Sequence, residues 1–272
     1  MGSDVSSRYT RRNQSEFERI AQYIQKTGLA KKGNYMVFFP SYKMMQQVYE
    51  VFQELDGGNV EAIIQEPGMN EEKREAFLAE FSAEREKTLI AFCVMGGIFG
   101  EGIDLKKEQL IGAVIVGTGL PQISNEREIL MDYYEKRMGE GFDYAYRYPG
   151  MNKVLQAAGR VIRTIDDVGV IELLDERFLQ SDYRNLFPKE WEKRLVCTVD
   201  SVESYLEKIL GRKTIKFERA YQYQLQENSM DIDMPFVLFQ AGSLWCLSGS
   251  RPCRIMQWYR DRNVHRWLAR YD

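Results

Sequence analysis

Residues 35–55 read YMVFFPSYKMMQQVYEVFQEL. The first five, Tyr35 to Phe39, form a short continuous apolar run, the pattern of a strand covered on both faces. Pro40 closes it, having no N–H to give a ladder. From Met44 the period changes, and Met45, Val48, Val51, Phe52 and Leu55 recur at helical spacing. The unit is strand, short loop, helix, and it repeats. Residues 60–64 (VEAII) are a second strand, Pro67-Gly68 a turn, and Asn70 an N-cap with Glu71 and Glu72 in the first turn of a helix to about Phe81. Residues 89–94 (LIAFCV), 113–116 (AVIV) and 168–174 (VGVIELL) are further apolar runs. Before them all, Ser15 and Glu18 form a capping box, and Phe17, Ile20, Ala21 and Ile24 mark a helix that Gly28 stops. Strands alternating with helices make an α/β fold, a mainly parallel sheet sandwiched by helices, with function expected in the loops beyond the strand C-termini.

Composition excludes several chemistries. The 272 residues carry 37 Lys+Arg against 40 Asp+Glu, a net charge of −3, so nucleic acid would have to be met by a local groove and not by a general basic coat. His265 is the single histidine, which removes Ser-His, Cys-His and multi-histidine metal mechanisms. Cys93, Cys197, Cys246 and Cys253 are scattered, with no CxxC pair. No apolar run approaches the roughly 20 residues that span a bilayer, and MGSDVSSRYTRRNQ has no signal-peptide core; a cytoplasmic chain with no membrane partner is the expectation. Chemistry must then rest on Arg, Gln, Asp, Lys or backbone amides.

Residues 151–164, MNKVLQAAGRVIRT, carry the most chemical information. On a helix, Met151, Leu155, Ala158 and Ile162 share one stripe, while Gln156, Arg160 and Arg163 lie within about 60° of one another on the other side. Two planar guanidiniums and an amide projecting together suit polyphosphate, although the same face could be solvated arginines paired with neighbouring acids. Residues 96–105, GGIFGEGIDL, place four glycines in seven positions after a buried strand, which allows close backbone approach to a ligand or simply a tight connection.

Taken in order, GNYMVFFPSYKMMQQVYEVF, FGEGIDL, and QAAGRVIR followed by DDVGVIELLDERF resemble motifs IV, V and VI of superfamily 2 helicases, in the XPD/DinG-like branch of DNA helicases. The resemblance covers roughly residues 7–191. It implies a second RecA-like lobe of the P-loop NTPase type, which with a first lobe clamps ATP and Mg2+ and runs along single-stranded DNA. By position, Arg160 matches the arginine finger, Arg163 its phosphate-facing companion, and Gln156 the glutamine that senses the γ-phosphate or attacking water. Gly102 and Asp104 match the motif V turn, and Gly159, at the head of the GRxxR core, is grouped with them as nucleotide-contacting. Ser41 and Tyr42 match the motif IV loop on the DNA side, to which Phe99 is also assigned.

The resemblance stops at the first lobe. No GxxxxGK[ST] loop and no DEAH-like acidic motif for magnesium occur here. The expectation is the back half of a helicase, a fragment or part of a split gene, with 1–14 the remnant of an interlobe linker, 15–211 the lobe, about 125–148 a tyrosine-rich helical insertion, and 212–272 an unassigned extension in which Trp258 and Trp267 interleave with arginines. A non-catalytic interaction module derived from such a lobe is the alternative. A Rossmann-type enzyme is disfavoured, because no GxGxxG follows the first strand.

Overall fold

The computed structural model describes residues 1–99, 105, 109–161, 169–192 and 194–210. Gly102, Asp104 and Arg163, the end of the helix read over 151–164, and the extension 212–272 lie outside the described residues.

The apolar runs are the strands, with bounds moved by at most two residues: β1 (Asn34–Phe39), β2 (Glu61–Ile64), β3 (Leu89–Val94), β4 (Gly112–Val116) and β5 (Val170–Leu174). All pairings are parallel, in the order β2-β3-β1-β4-β5. The helices are α1 (Gln14–Ala30), α2 (Tyr42–Asp56), α3 (Glu71–Ala79), α4 (Asn125–Met138), α5 (Tyr148–Ala158), α6 (Ser181–Arg184) and α7 (Val202–Leu210). Because side chains alternate along a strand, each strand feeds two cores. Val37, Phe39, Ile90, Phe92 and Val114 pack with Ile20 and Ile24 of α1, Val48 and Phe52 of α2, and Val202 and Leu206 of α7. Met36, Phe38, Ala91, Cys93 and Ile115 pack on the opposite face with Phe77 of α3 and Met151 and Val154 of α5.

Local signals were right in type and sometimes shifted in place. Asn70 caps α3, its side chain accepting from Lys73 N at 2.9 Å. Asn13, not Ser15, caps α1, accepting from Glu16 N at 3.0 Å. Gly28 does not stop that helix, which runs to Ala30; a Cβ at Gly28 would sit 2.6 Å from the Ile90 side chain, so glycine lets the helix lie close on β3. Leu55, read as inward, is 40% exposed at the end of α2. The stretch about 125–148 is largely helical: α4 is closed by Gly139 at φ +67°, and after this break a turn of π-helix (Asp143–Arg147) leads into α5.

Residues 1–14 are packed into the fold. Gly2 N donates to Leu173 O at 3.0 Å, Val5 and Ser6 are fully buried, and Glu176 N donates to Val5 O at 2.8 Å. Arg11 pairs with both Glu16 and Glu176.

Glu172 of β5 is buried beneath α1. Its Oε2 accepts from Thr27 Oγ1 at 2.7 Å, while Oε1 is buried with no hydrogen-bond partner. Burial pushes its carboxyl up to about 7, against the opposing pull of the Thr27 hydrogen bond and the chain amino group. The folded state therefore holds this proton more tightly than the unfolded chain. Stability from this group is fully present below the unfolded value, near 4.5, and is lost as pH rises through about 7. Between pH 5 and 8 the loss should be on the order of 2–3 kcal/mol. Glu172→Gln, a mimic of the protonated acid, should flatten that part of the profile in urea titrations; an unchanged slope of stability against pH would exclude this role.

Candidate functional site

The loops leaving β1 and β3 form one corner of the sheet edge. Ser41 caps α2, its Oγ accepting from Met44 N at 3.3 Å. Tyr42 opens the helix, and its hydroxyl accepts from Gln65 Nε2 at 2.8 Å; Gln65 Oε1 in turn accepts from Val94 N at 2.9 Å. Burial raises the Tyr42 pKa, the Cys93 side chain adding to it and the Gln65 hydrogen bond opposing, so the phenol stays protonated at neutral pH. Both hydroxyls use an acceptor site inside the protein and retain their O–H for an outside acceptor. Gln65, only 2% exposed, carries no motif signal in the sequence; the contact with Tyr42 alone reveals it.

Phe99 does not belong with them. It is fully buried and stacked on Phe77 at 4.5 Å between ring centroids with an interplanar angle of 28°. Its assignment to the DNA side is corrected: a ring enclosed by the α3 core has no open face for a base.

Beyond β4, Gly119 and Gly150 meet backbone to backbone. A Cβ on Gly150 would lie 2.6 Å from Thr118 O, and one on Gly119 would lie 2.6 Å from Gly150 O. This fixes the start of α5 at the C-terminal edge of the sheet. At its other end, a Cβ on Gly169 would lie 2.3 Å from Val161 Cγ1 and 2.7 Å from Ile111 O, so the turn after α5 lies beside the beginning of β4. The helix thus spans the sheet against the strand direction.

That course corrects the helical-wheel reading. The helix ends at Ala158; Gly159 N donates to Leu155 O at 2.9 Å, and Arg160 N and Val161 N donate to Ala157 O and Ala158 O at 3.2 Å. The buried stripe is Met151, Val154, Ala157, Ala158 and Val161, with Leu155 only partly buried. Gln156 is exposed on the helix, and Arg160 is half-buried in the turn that follows. Ten residues of near-helical chain separate Gly150 from Arg160, roughly 15 Å. The structure therefore brings Gln156, Gly159 and Arg160 together and keeps them apart from Ser41 and Tyr42 at the opposite edge. Of the two groups, only Ser41 and Tyr42 lie beyond a strand C-terminus.

At the end of β5, Asp175 is fully buried. It accepts from Ser7 N and Oγ at 2.9 and 2.6 Å and from Arg177 N, Nε and Nη2 at 2.8 to 2.9 Å. It is a structural junction between the N-terminal segment and the sheet. Among the described residues no group of three or more His, Cys, Asp or Glu could hold a metal ion, and no helix is long and apolar enough to cross a membrane.

The family model of the helicase C-terminal domain matches residues 24–194, which contain every element of the sheet and both groups of site residues. The chain belongs to this family. ATP-dependent DNA helicase XPD of Sulfolobus acidocaldarius is 29% identical over 206 residues, covering 72% of this chain and 33% of that protein. Regulator of telomere elongation helicase 1 of Bos taurus is 28% identical over 217 residues, covering 74% of this chain and 18% of that protein. A solved XPD helicase structure superposes with a TM-score of 0.56 at 27% identity, over 67% of this chain and 32% of that one. The match to the XPD/DinG-like second lobe is thus shown in sequence and in fold, and this helicase C-terminal domain spans about a third or less of the three relatives named above.

Proposed function

We propose that this chain is the second motor lobe of an ATP-dependent DNA helicase, coupling ATP hydrolysis to movement along single-stranded DNA in partnership with a first RecA-like lobe. The observation that carries the reading is the helicase C-terminal domain match over residues 24–194, within which Gln156 and Arg160 are held at the end of one rigid helix. Arg160 would place its guanidinium on the charge that spreads over the transferred γ-phosphoryl, with Arg163 beside it, and Gln156 would orient the attacking water. Gly102, Asp104 and Gly159 would line the nucleotide, and the O–H groups of Ser41 and Tyr42 would meet backbone oxygens of the strand. The separation of the two groups across α5 suits a lobe that holds nucleotide on one side and the strand on another.

Mg2+, where bound with the nucleotide, would supply charge neutralisation for the phosphates. Its protein ligands are assigned mainly to the first lobe. Without the phosphate-binding amides and lysine of that lobe, this chain alone should turn over ATP negligibly. Mixing it with a separately purified first lobe of an XPD-type helicase should restore ATP turnover stimulated by oligothymidylate. Failure to restore turnover, in a mixture shown by sedimentation to form the complex, would sink the motor reading and leave the non-catalytic module.

A further inference from the structure

Lys153 lies on α5 one turn before Gln156, outside every residue that motif matching assigns. Its stem crosses the loop after β3: a Cβ built on Gly96, at φ +69°, would meet Lys153 Cδ and Cε at 3.2 and 3.3 Å. Glycine at 96 is what gives the stem its channel. The next residue, Gly97, is 3.4 Å by the same measure from Gln65 Nε2, and Gln65 donates to Tyr42. Tyr42, Gln65, Gly97, Gly96 and Lys153 therefore form one contiguous polar line along the C-terminal edge of β1 and β3.

Arg127 of α4 joins this line from the other side. Its Nη1 donates to Ala145 O at 3.1 Å, in the π-turn leading into α5. Arg127 and Lys153 thus flank the start of α5, one held at Ala145 and the other at Gly96; burial, and next the charge of Arg127, lower the Lys153 pKa. Among the described residues neither cation has a carboxylate partner, although Glu126 and Glu128 flank Arg127 in sequence; Glu128 accepts from Tyr146 OH at 2.5 Å. Two neighbouring like charges in half-buried positions, with no acid paired to either among the described residues, are matched by an anion.

We infer that Lys153 and Arg127, with the Tyr42 hydroxyl, seat a backbone phosphate of the bound single strand. The inference rests on the proposed motor-lobe reading and extends its strand track from the motif IV loop to α5 and α4. The strand is the source of the phosphate because the Lys153 stem reaches back to Gly96 at the edge shared with Tyr42. By contrast, Gln156 of the nucleotide group is one turn further towards the opposite edge, and Arg160, beyond the end of α5, is about seven residues or roughly 10 Å further.

The test is fluorescence anisotropy of a labelled 20-nucleotide oligothymidylate with the purified full chain across 50–200 mM salt. Lys153→Gln should reduce the slope of log affinity against log salt by about 0.7, the value for one single-strand phosphate contact, and Arg127→Gln should act alike. Lys153→Arg, which keeps the charge, should retain the slope, and Lys189→Gln on the far exposed 3-10 turn should leave it unchanged. Wild-type binding with an unmoved Lys153→Gln slope, or equal slope changes in Lys153→Gln and Lys189→Gln, overturns this inference alone. A Lys153→Gln chain that loses binding of a fluorescent ATP analogue while its oligothymidylate slope is unmoved also overturns it. A wild-type chain that does not bind oligothymidylate overturns the strand track of the motor-lobe reading and this inference with it.

Discussion

In a two-lobe complex assembled from this chain and a first RecA-like lobe, Arg160→Ala should lower the kcat of DNA-stimulated ATP turnover by about 1,000-fold or more, the lower end of what arginine fingers contribute. The expectation comes from how the residue is held. Ala157, Ala158 and Val161 are buried, and the carbonyls of Ala157 and Ala158 accept from Arg160 N and Val161 N, so the backbone on both sides of Arg160 is fixed while its side chain remains half exposed. A guanidinium carried on so fixed a backbone would leave little ordering cost to the transition state. Removing it should act on kcat with KM changed only severalfold, because the contact strengthens as charge develops. Arg160→Lys should recover little, since an ammonium cannot offer the planar two-pronged donor set. Steady-state turnover within tenfold of wild type for Arg160→Ala would sink the assignment.

The strands were legible because a parallel sheet covered on both faces needs continuous apolar runs, and LIAFCV or AVIV leaves no other reading. Asn70 was legible as a cap because its carboxamide is followed at once by two first-turn acids. The end of α5 was not. Gly159 keeps an ordinary helical φ of −66°, so nothing in its left-handed freedom marks a stop; the helix ends because Arg160 and Val161 tighten to shorter-range hydrogen bonds over a packed Val161 and Gly169. Phe99 misled for a related reason. A phenylalanine in a glycine-rich loop looks available in sequence, and only the tertiary approach of Phe77 shows that it is core. Lys153 and Gln65 are ordinary polar residues until contact with Gly96 and Tyr42 places them on one line. The N-terminal segment reads as polar linker because Ser6, Ser7 and the arginines are hydrophilic, yet their partners, Glu16, Asp175 and Glu176, lie up to 170 residues away.

The partnership at Asp175 leads to the largest stability effect expected here: Asp175→Ala should cost about 3–5 kcal/mol at pH 7, the range for breaking one side of a buried pair. Burial by itself would raise the Asp175 carboxyl, but the hydrogen bonds and charge of Arg177, with the Ser7 hydroxyl, outweigh it and hold the group below the usual carboxylate value. A depressed folded value means that this stability is present above the unfolded value, near 4, and is lost as pH falls through the folded one. Alanine would strand Arg177, whose side chain is 14% exposed, as an uncompensated charge, and would release Ser7 N and Oγ together. The N-terminal segment should then detach, since Gly117 at φ +83° leaves room only for the Ser7 side chain that Asp175 holds there. Trypsin should cleave at Arg8, Arg11 or Arg12 faster in the variant than in wild type. Asp175→Ala/Arg177→Met should be less destabilised than Asp175→Ala alone, because the stranded charge goes with its partner. Urea unfolding that places Asp175→Ala within 1 kcal/mol of wild type, or the double variant below the single one, would show that the junction is held by packing of Val5 and Phe178 and not by its charges.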